Sequence, residues 1–211
     1  MDEGQLARIA RKSVFDEPYQ HFGRMDELSR VGLAAIAFAL KDAGLDERTQ
    51  RRDIGMIAST TFGCLHTDID YYDTVMADNG KSASPALFSY TLPNCFMGET
   101  ARCFGLTGSS YVINEVPPTG LASMHAAMDG IALGEFQRVV TGICDLGCPP
   151  HLHIRKKTIP GAVFLVIENH PESGLAPFGS LDLGLNGLIS FNGKEIRDLN
   201  DLVIECLAVP L

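Results

Sequence analysis

Short apolar segments alternate with segments of helical periodicity along most of this chain, and this alternation limits the possible folds more than any other feature. The apolar segments, each bounded by glycine, proline or polar residues, lie at 53–61, 110–116, 138–143 and 162–168. Helical periodicity appears at 26–44, 66–79, 94–104 and 119–133. Strands that alternate with helices form βαβ units. We therefore predict an α/β fold, with a mostly parallel sheet and helices on both of its faces.

The most apolar helix is predicted at 26–44. Asp26 can cap its N-terminus, and Gly44 can end it. Leucine, valine, isoleucine and phenylalanine are interspersed with glycine and alanine, so the helix is apolar nearly all round. A helix of this kind is buried on most sides.

Residues 109–121 form an unusual elbow between a strand and a helix. Their sequence is Ser-Ser-Tyr-Val-Ile-Asn-Glu-Val-Pro-Pro-Thr-Gly-Leu. Pro117 and Pro118 fall at the predicted start of the helix, where a missing backbone N–H costs nothing. Proline also has no side-chain nucleophile, so the turn itself offers no group for covalent chemistry.

Composition excludes several classes of partner. The chain has 17 lysine and arginine residues against 26 aspartate and glutamate residues, a formal net charge of −9. We therefore expect neither a nucleic acid nor an anionic membrane as partner. No apolar stretch approaches the ~20 residues of a membrane span. No glycine run is followed by a Walker-type lysine, and we expect no cofactor.

The first residues and the cysteines indicate a compartment. The opening Met-Asp-Glu-Gly-Gln-Leu has neither the basic nor the apolar part of a signal peptide. The six cysteines are scattered through apolar segments, which favours reduced thiols over disulfides. We therefore expect a cytoplasmic protein.

Three regions are predicted along the chain. Residues 1–23 are expected to be a loosely packed lead-in with one helical turn at 6–9. Residues 24–185 are expected to form the main domain. Residues 186–211 are a tail for which we predict a hairpin, from the turn pair Asn192-Gly193, and a helix.

Several segments, in the same order and with similar spacing, resemble the N-terminal half of the β-ketoacyl synthases of the thiolase-like superfamily. The resemblance extends over about 22–185. Its segments are Arg24-Met-Asp-Glu-Leu-Ser-Arg, Asp53-Ile-Gly-Met-Ile-Ala-Ser-Thr-Thr-Phe-Gly, the Pro-Asn and Gly-Leu-Thr-Gly block of 92–108, the elbow, 134–145 and Pro160-Gly-Ala-Val-Phe-Leu-Val-Ile-Glu. It implies a thiolase-like half-fold.

The resemblance places the family's nucleophilic cysteine at Pro117. The family pattern there is similar to Ser-Thr-Ala-Cys-Ala-Thr-Gly, and this chain has Val-Pro-Pro-Thr-Gly. The family's opening strand has no counterpart in 1–23, and its later segment with two histidines and a lysine has none before Leu211. The resemblance therefore implies a non-catalytic partner or scaffold subunit in fatty-acid- or polyketide-type synthesis, comparable in logic to a chain-length factor.

Partners also follow from the resemblance. In the family, the helix after the elbow lies between two halves of the subunit, and the strand before it pairs across a two-fold axis. This implies a homodimer, or a heteromer with a ketosynthase, with 110–116 as the first candidate contact. An acyl carrier protein is a further partner, and the basic residues Arg155-Lys156-Lys157 could meet it or form a solvated loop.

An enzymatic alternative stays open. Glu115 could act as a base in a cleft, or it could be a carboxylate near a helix N-terminus. His125 could be catalytic or a packed core histidine. On this hypothesis the chain is an acyltransferase or condensing-enzyme component whose site a second chain completes.

A third alternative is a small-molecule or metal-binding module. Cys144, Cys148, His151 and His153 place four soft ligands within ten residues, a composition that suits zinc. The spacing Cys-x3-Cys-x2-His-x-His matches no standard zinc finger, and two prolines stiffen its middle. Cys144 and the neighbouring cysteines could equally be packing residues.

Overall fold

The computed structural model describes residues 9–48, 50–152, 160–170 and 176–209. In chain order, the helices and strands are α1 (Arg11–Val14), α2 (Glu27–Asp42), β1 (Gly55–Thr60), α3 (Leu65–Met76), α4 (Pro85–Phe88), α5 (Cys95–Phe104), β2 (Ser110–Asn114), α6 (Leu121–Ala132), β3 (Arg138–Asp145), β4 (Gly161–Glu168), β5 (Leu181–Leu183), β6 (Ile189–Phe191), β7 (Lys194–Glu195) and α7 (Leu199–Leu207). Short 3₁₀ turns lie at Gln20–Arg24 and Pro150–Leu152.

The main sheet confirms the predicted α/β class. Its strand order is β2-β1-β3-β4. Strands β2 and β3 each pair with β1 in parallel, and β4 pairs with β3 in the antiparallel sense. Helix-containing crossovers connect the parallel strands, as βαβ units require. The carboxyl ends of three neighbouring strands therefore lie at one edge of the sheet.

One face of the sheet is covered by α2, the apolar helix expected from the sequence. The Asp26 carboxylate accepts a hydrogen bond from the Ser29 N–H at 3.0 Å, which is the predicted N-cap. Gly44 follows the helix with a φ of 66° and ends it as expected. Leu33, Ile36 and other apolar residues of α2 are buried against α5 and the sheet in the larger core cluster.

The other face is covered by α6 together with the C-terminal tail. The tail forms its own three-stranded antiparallel sheet, in the order β5-β6-β7, followed by α7. Asn192 and Gly193 have φ values of 50° and 79°, and they make the predicted hairpin turn. Leu199 packs in a second core cluster with Met124 of α6. The tail thus adds a layer rather than a strand to the main sheet.

The N-terminal lead-in differs from the expectation of loose packing. Phe15, Tyr19 and Phe22 are buried in the larger core cluster, and the Phe15 ring contacts the other two rings. The Arg48 guanidinium lies 5.3 Å from the Phe15 ring centroid. Aromatic side chains bury large apolar surface areas, but the mean polarity of residues 1–23 does not reveal the three rings. Most of the helical turn expected at 6–9 falls outside the described residues, and the first helix described is α1.

Within the described part of the chain, no helix combines the length and the apolar character needed to cross a membrane. The six cysteines are free thiols, and four of them are buried.

Candidate functional site

The candidate site is the edge of the sheet where the parallel strands β1, β2 and β3 end. Ligands of open α/β sheets bind outside the carboxyl ends of the strands. Three loops meet here: 61–64 after β1, the elbow at 115–120 after β2, and 146–148 after β3. Backbone and side-chain hydrogen bonds join the loops. Thr61 donates through its Oγ1 to the Glu115 carbonyl at 2.7 Å, and Glu115 donates through its N–H to the Thr60 carbonyl at 2.8 Å.

The elbow places Pro117 on the surface. Strand β2 ends at Asn114, the Val116–Pro117 peptide is cis, and Pro117 is exposed. The first helical residue is Leu121. The expectation that Pro117 occupies the first turn of the helix was therefore wrong, because three non-helical residues, 118–120, lie between Pro117 and Leu121.

Gly120 allows the chain to enter α6. It is the N-cap residue with a φ of 75°, in the left-handed region that glycine adopts without steric cost. A Cβ atom here would lie 2.4 Å from the Leu199 Cδ1 of the tail. Leu199 also donates its N–H to the Thr119 carbonyl at 2.9 Å. The first residue of α7 therefore contacts the elbow and holds it in place.

Glu115 is held by the N-terminus of α6. Its carboxylate accepts hydrogen bonds from the Gly120 N–H at 3.0 Å, the Ala122 N–H at 3.3 Å and the Thr119 hydroxyl. A negative charge at this position satisfies free backbone donors and interacts favourably with the helix dipole. Because β2 ends at Asn114, Glu115 does not continue a strand face toward Pro117. This geometry matches the reading of Glu115 as a carboxylate near a helix N-terminus.

Ser123 ties the first turn of α6 to the middle of the sheet. It is completely buried. Its N–H donates to the Ser59 Oγ at 3.1 Å, and its hydroxyl lies 2.9 Å from the Gly120 carbonyl and 2.8 Å from the Gly142 carbonyl. The helix start, β1 and β3 are thus connected through one small side chain.

Asp145 is the most extensively bonded side chain of the site. It is 2% exposed and ends β3. One carboxylate oxygen accepts from the Thr60 hydroxyl at 3.0 Å and from the N–H groups of Thr61 and Phe62 at 2.7 and 2.8 Å. The other accepts from the Gly147 N–H at 2.6 Å. A buried carboxylate is stable only with such partners, and here they join the ends of β1 and β3.

The four proposed metal ligands are not brought together within the described residues. Cys144 lies inside β3 rather than after it, and its thiol is completely buried 3.8 Å from the Leu28 carbonyl. Burial raises the pKa of the Cys144 thiol, with Asp145 and Asp26 adding to the effect. His151 is exposed, Cys148 is half-buried, and His153 lies outside the described residues.

No other part of the described chain gathers three or more histidine, cysteine or acidic side chains in a geometry suited to a metal ion. His125 is half-buried on α6, where its Cε1 faces Gly187 of the tail. Cys64 is buried at the N-terminus of α3 and donates to the Asp68 carboxylate at 3.3 Å. Burial, with Asp68, raises the pKa of the Cys64 thiol to about 12.

The interpretation of the sequence did not single out Asp145, Thr60 or Ser123. A signal was present for the first two, since each is a polar residue near the end of an apolar strand segment, and parallel strands end at the same edge of a sheet. The sequence gives no signal for Ser123, because a single serine among alanines and glycines does not indicate whether its helical turn is buried or exposed.

Most of this chain matches a known protein family. The model of the β-ketoacyl synthase N-terminal domain matches residues 9–158. A granaticin polyketide β-ketoacyl synthase of Streptomyces violaceoruber is 27% identical over 156 residues, which cover 68% of this chain and 37% of that protein. The 3-oxoacyl-(acyl-carrier-protein) synthase 2 of Vibrio cholerae is 26% identical over 128 residues, which cover 60% of this chain and 31% of that protein. The chain thus spans about a third of the length of these curated relatives.

Solved structures of ketosynthases have folds similar to that of this chain. A ketosynthase in complex with its chain length factor from Xenorhabdus doucetiae matches with a TM-score of 0.60 and 16% identity, covering 82% of this chain and 68% of that chain. The ishigamide ketosynthase/chain length factor matches with a TM-score of 0.66 and 15% identity, covering 82% and 51%. A β-ketoacyl synthase from Burkholderia phymatum matches with a TM-score of 0.61 and 16% identity, covering 84% and 50%. These matches confirm the thiolase-like fold.

Proposed function

The chain belongs to the β-ketoacyl synthase family, and we propose that it acts there as a non-catalytic partner subunit in fatty-acid- or polyketide-type synthesis. The observation that carries the proposal is Pro117. It occupies the elbow position that the resemblance assigns to the nucleophile, it is exposed, and it has no group that could attack a thioester.

The neighbouring side chains support the same conclusion. Glu115 is engaged by the backbone donors of α6, so its lone pairs are directed into the protein. Cys64 is buried, and with its pKa raised to about 12 it offers very little thiolate at neutral pH. His125 faces the tail on the side of α6 near Gly187. None of these groups is placed as a substitute nucleophile.

The proposed partner is a ketosynthase, bound at the free edge of β2. This strand lies at one end of the main sheet, and Ser110, Tyr111 and Asn114 are exposed along it. An exposed strand edge can pair with a second polypeptide chain. The Xenorhabdus and ishigamide structures are complexes of a ketosynthase with a chain length factor, which supports a heteromer; a homodimer through the same edge is the other form of the proposal.

An acyl carrier protein is proposed as the second partner. A structure of similar fold contains a type II acyl carrier protein in complex with its ketosynthase, with a TM-score of 0.63 and 20% identity over 77% of this chain and 51% of that chain. The basic residues 155–157 considered for this contact lie outside the described residues. The free thiols suit a reducing compartment, and we place the protein in the cytoplasm.

Co-purification tests the proposal. The tagged full chain is expressed together with each ketosynthase and each acyl carrier protein of its source organism. We expect the ketosynthase to co-elute, and the condensation activity of the ketosynthase to rise at least tenfold over the ketosynthase alone. Failure to recover either protein, with no effect of the chain on condensation, would contradict the proposal.

A further inference from the structure

We draw no further inference here: the strongest candidate, the apolar outer face of α7 with its exposed side chains Ile204 and Leu207, carries none because nothing in the described part of the structure shows what covers it.

Discussion

Two carboxylates stand at the ends of the strands on either side of β1, and they hold the candidate site in different ways. Asp145, the last residue of β3, is 2% exposed and accepts four hydrogen bonds, one from Thr60 at the end of β1 and three from the loops that follow β1 and β3. Glu115, after β2, is half-buried and accepts its bonds from the start of α6. Asp145 therefore holds the buried ends of β1 and β3 together. Glu115 holds the elbow, whose tip is exposed.

Hydrogen bonds to a carboxylate hold both loops in a defined conformation. Both loops are held by charge-assisted hydrogen bonds, which are stronger than neutral ones. The elbow therefore has a defined shape, although Pro117 at its tip offers no nucleophile. A defined shape without a reactive group fits a surface that contacts a partner. The following substitutions test whether the two regions differ in energy as their geometry indicates.

Asp145→Ala is expected to have the largest effect. It leaves buried N–H groups and a buried hydroxyl without an acceptor, and we expect the free energy of unfolding to fall by about 3–5 kcal/mol. Urea unfolding followed by circular dichroism measures the change. Asp182→Ala, at an exposed carboxylate, serves as the control. If Asp145→Ala lowered the free energy of unfolding by less than about 1 kcal/mol, Asp145 would stabilise the protein no more than Glu115 is expected to.

Gly120→Ala is expected to rank second, with a loss of about 2 kcal/mol. Alanine would adopt an unfavourable positive φ, and its Cβ would meet the Leu199 side chain. Gly161→Ala is the matched control, because a Cβ there has no atom within 4 Å. Equal unfolding midpoints for the two variants would show that the elbow is not fixed by the tail.

Glu115→Ala is expected to cost about 1 kcal/mol, the typical effect of removing a cap from a helix N-terminus. Glu115→Gln keeps an acceptor without the charge and should retain part of the stability. The same denaturation measurement compares the two variants. If Glu115→Ala lowered the free energy of unfolding as much as Asp145→Ala does, the two carboxylates would contribute equally to stability, contrary to this prediction.

Pro117→Cys is expected to place a thiol on the exposed surface of the elbow. The new thiol should react with iodoacetamide at pH 8 at least tenfold faster than Cys64 and Cys103. Burial raises the pKa of Cys64 to about 12 and that of Cys103 to about 11, so little thiolate forms at either. Peptide mapping by mass spectrometry measures the rates. A residue 117 thiol as slow as the buried ones would contradict an open elbow.

Local signals predicted much of the fold correctly. The cap at Asp26 and the turn at Asn192-Gly193 depend on residues close in sequence, and both form as expected. The alternation of strands and helices predicted the parallel part of the sheet, since crossovers through helices leave few other arrangements.

Long-range contacts were not predictable in the same way. The position of Asp145 relative to Thr60 depends on the pairing of β1 with β3, across 85 residues of chain. The packing of the tail on α6 depends on Leu199 meeting the space beside Gly120, and a glycine in the sequence does not indicate which side chain fills that space. The aromatic lead-in was underestimated because its average polarity outweighed three well-spaced rings.

The central claim is that this chain holds no acyl thioester at its elbow. Intact-protein mass spectrometry after incubation with acyl-CoA and acyl-carrier-protein thioesters tests it most directly, with peptide mapping of residues 109–121. The account predicts an unmodified wild-type chain, both alone and with a ketosynthase present. A covalent acyl group within that peptide, with turnover by this chain alone, would contradict it.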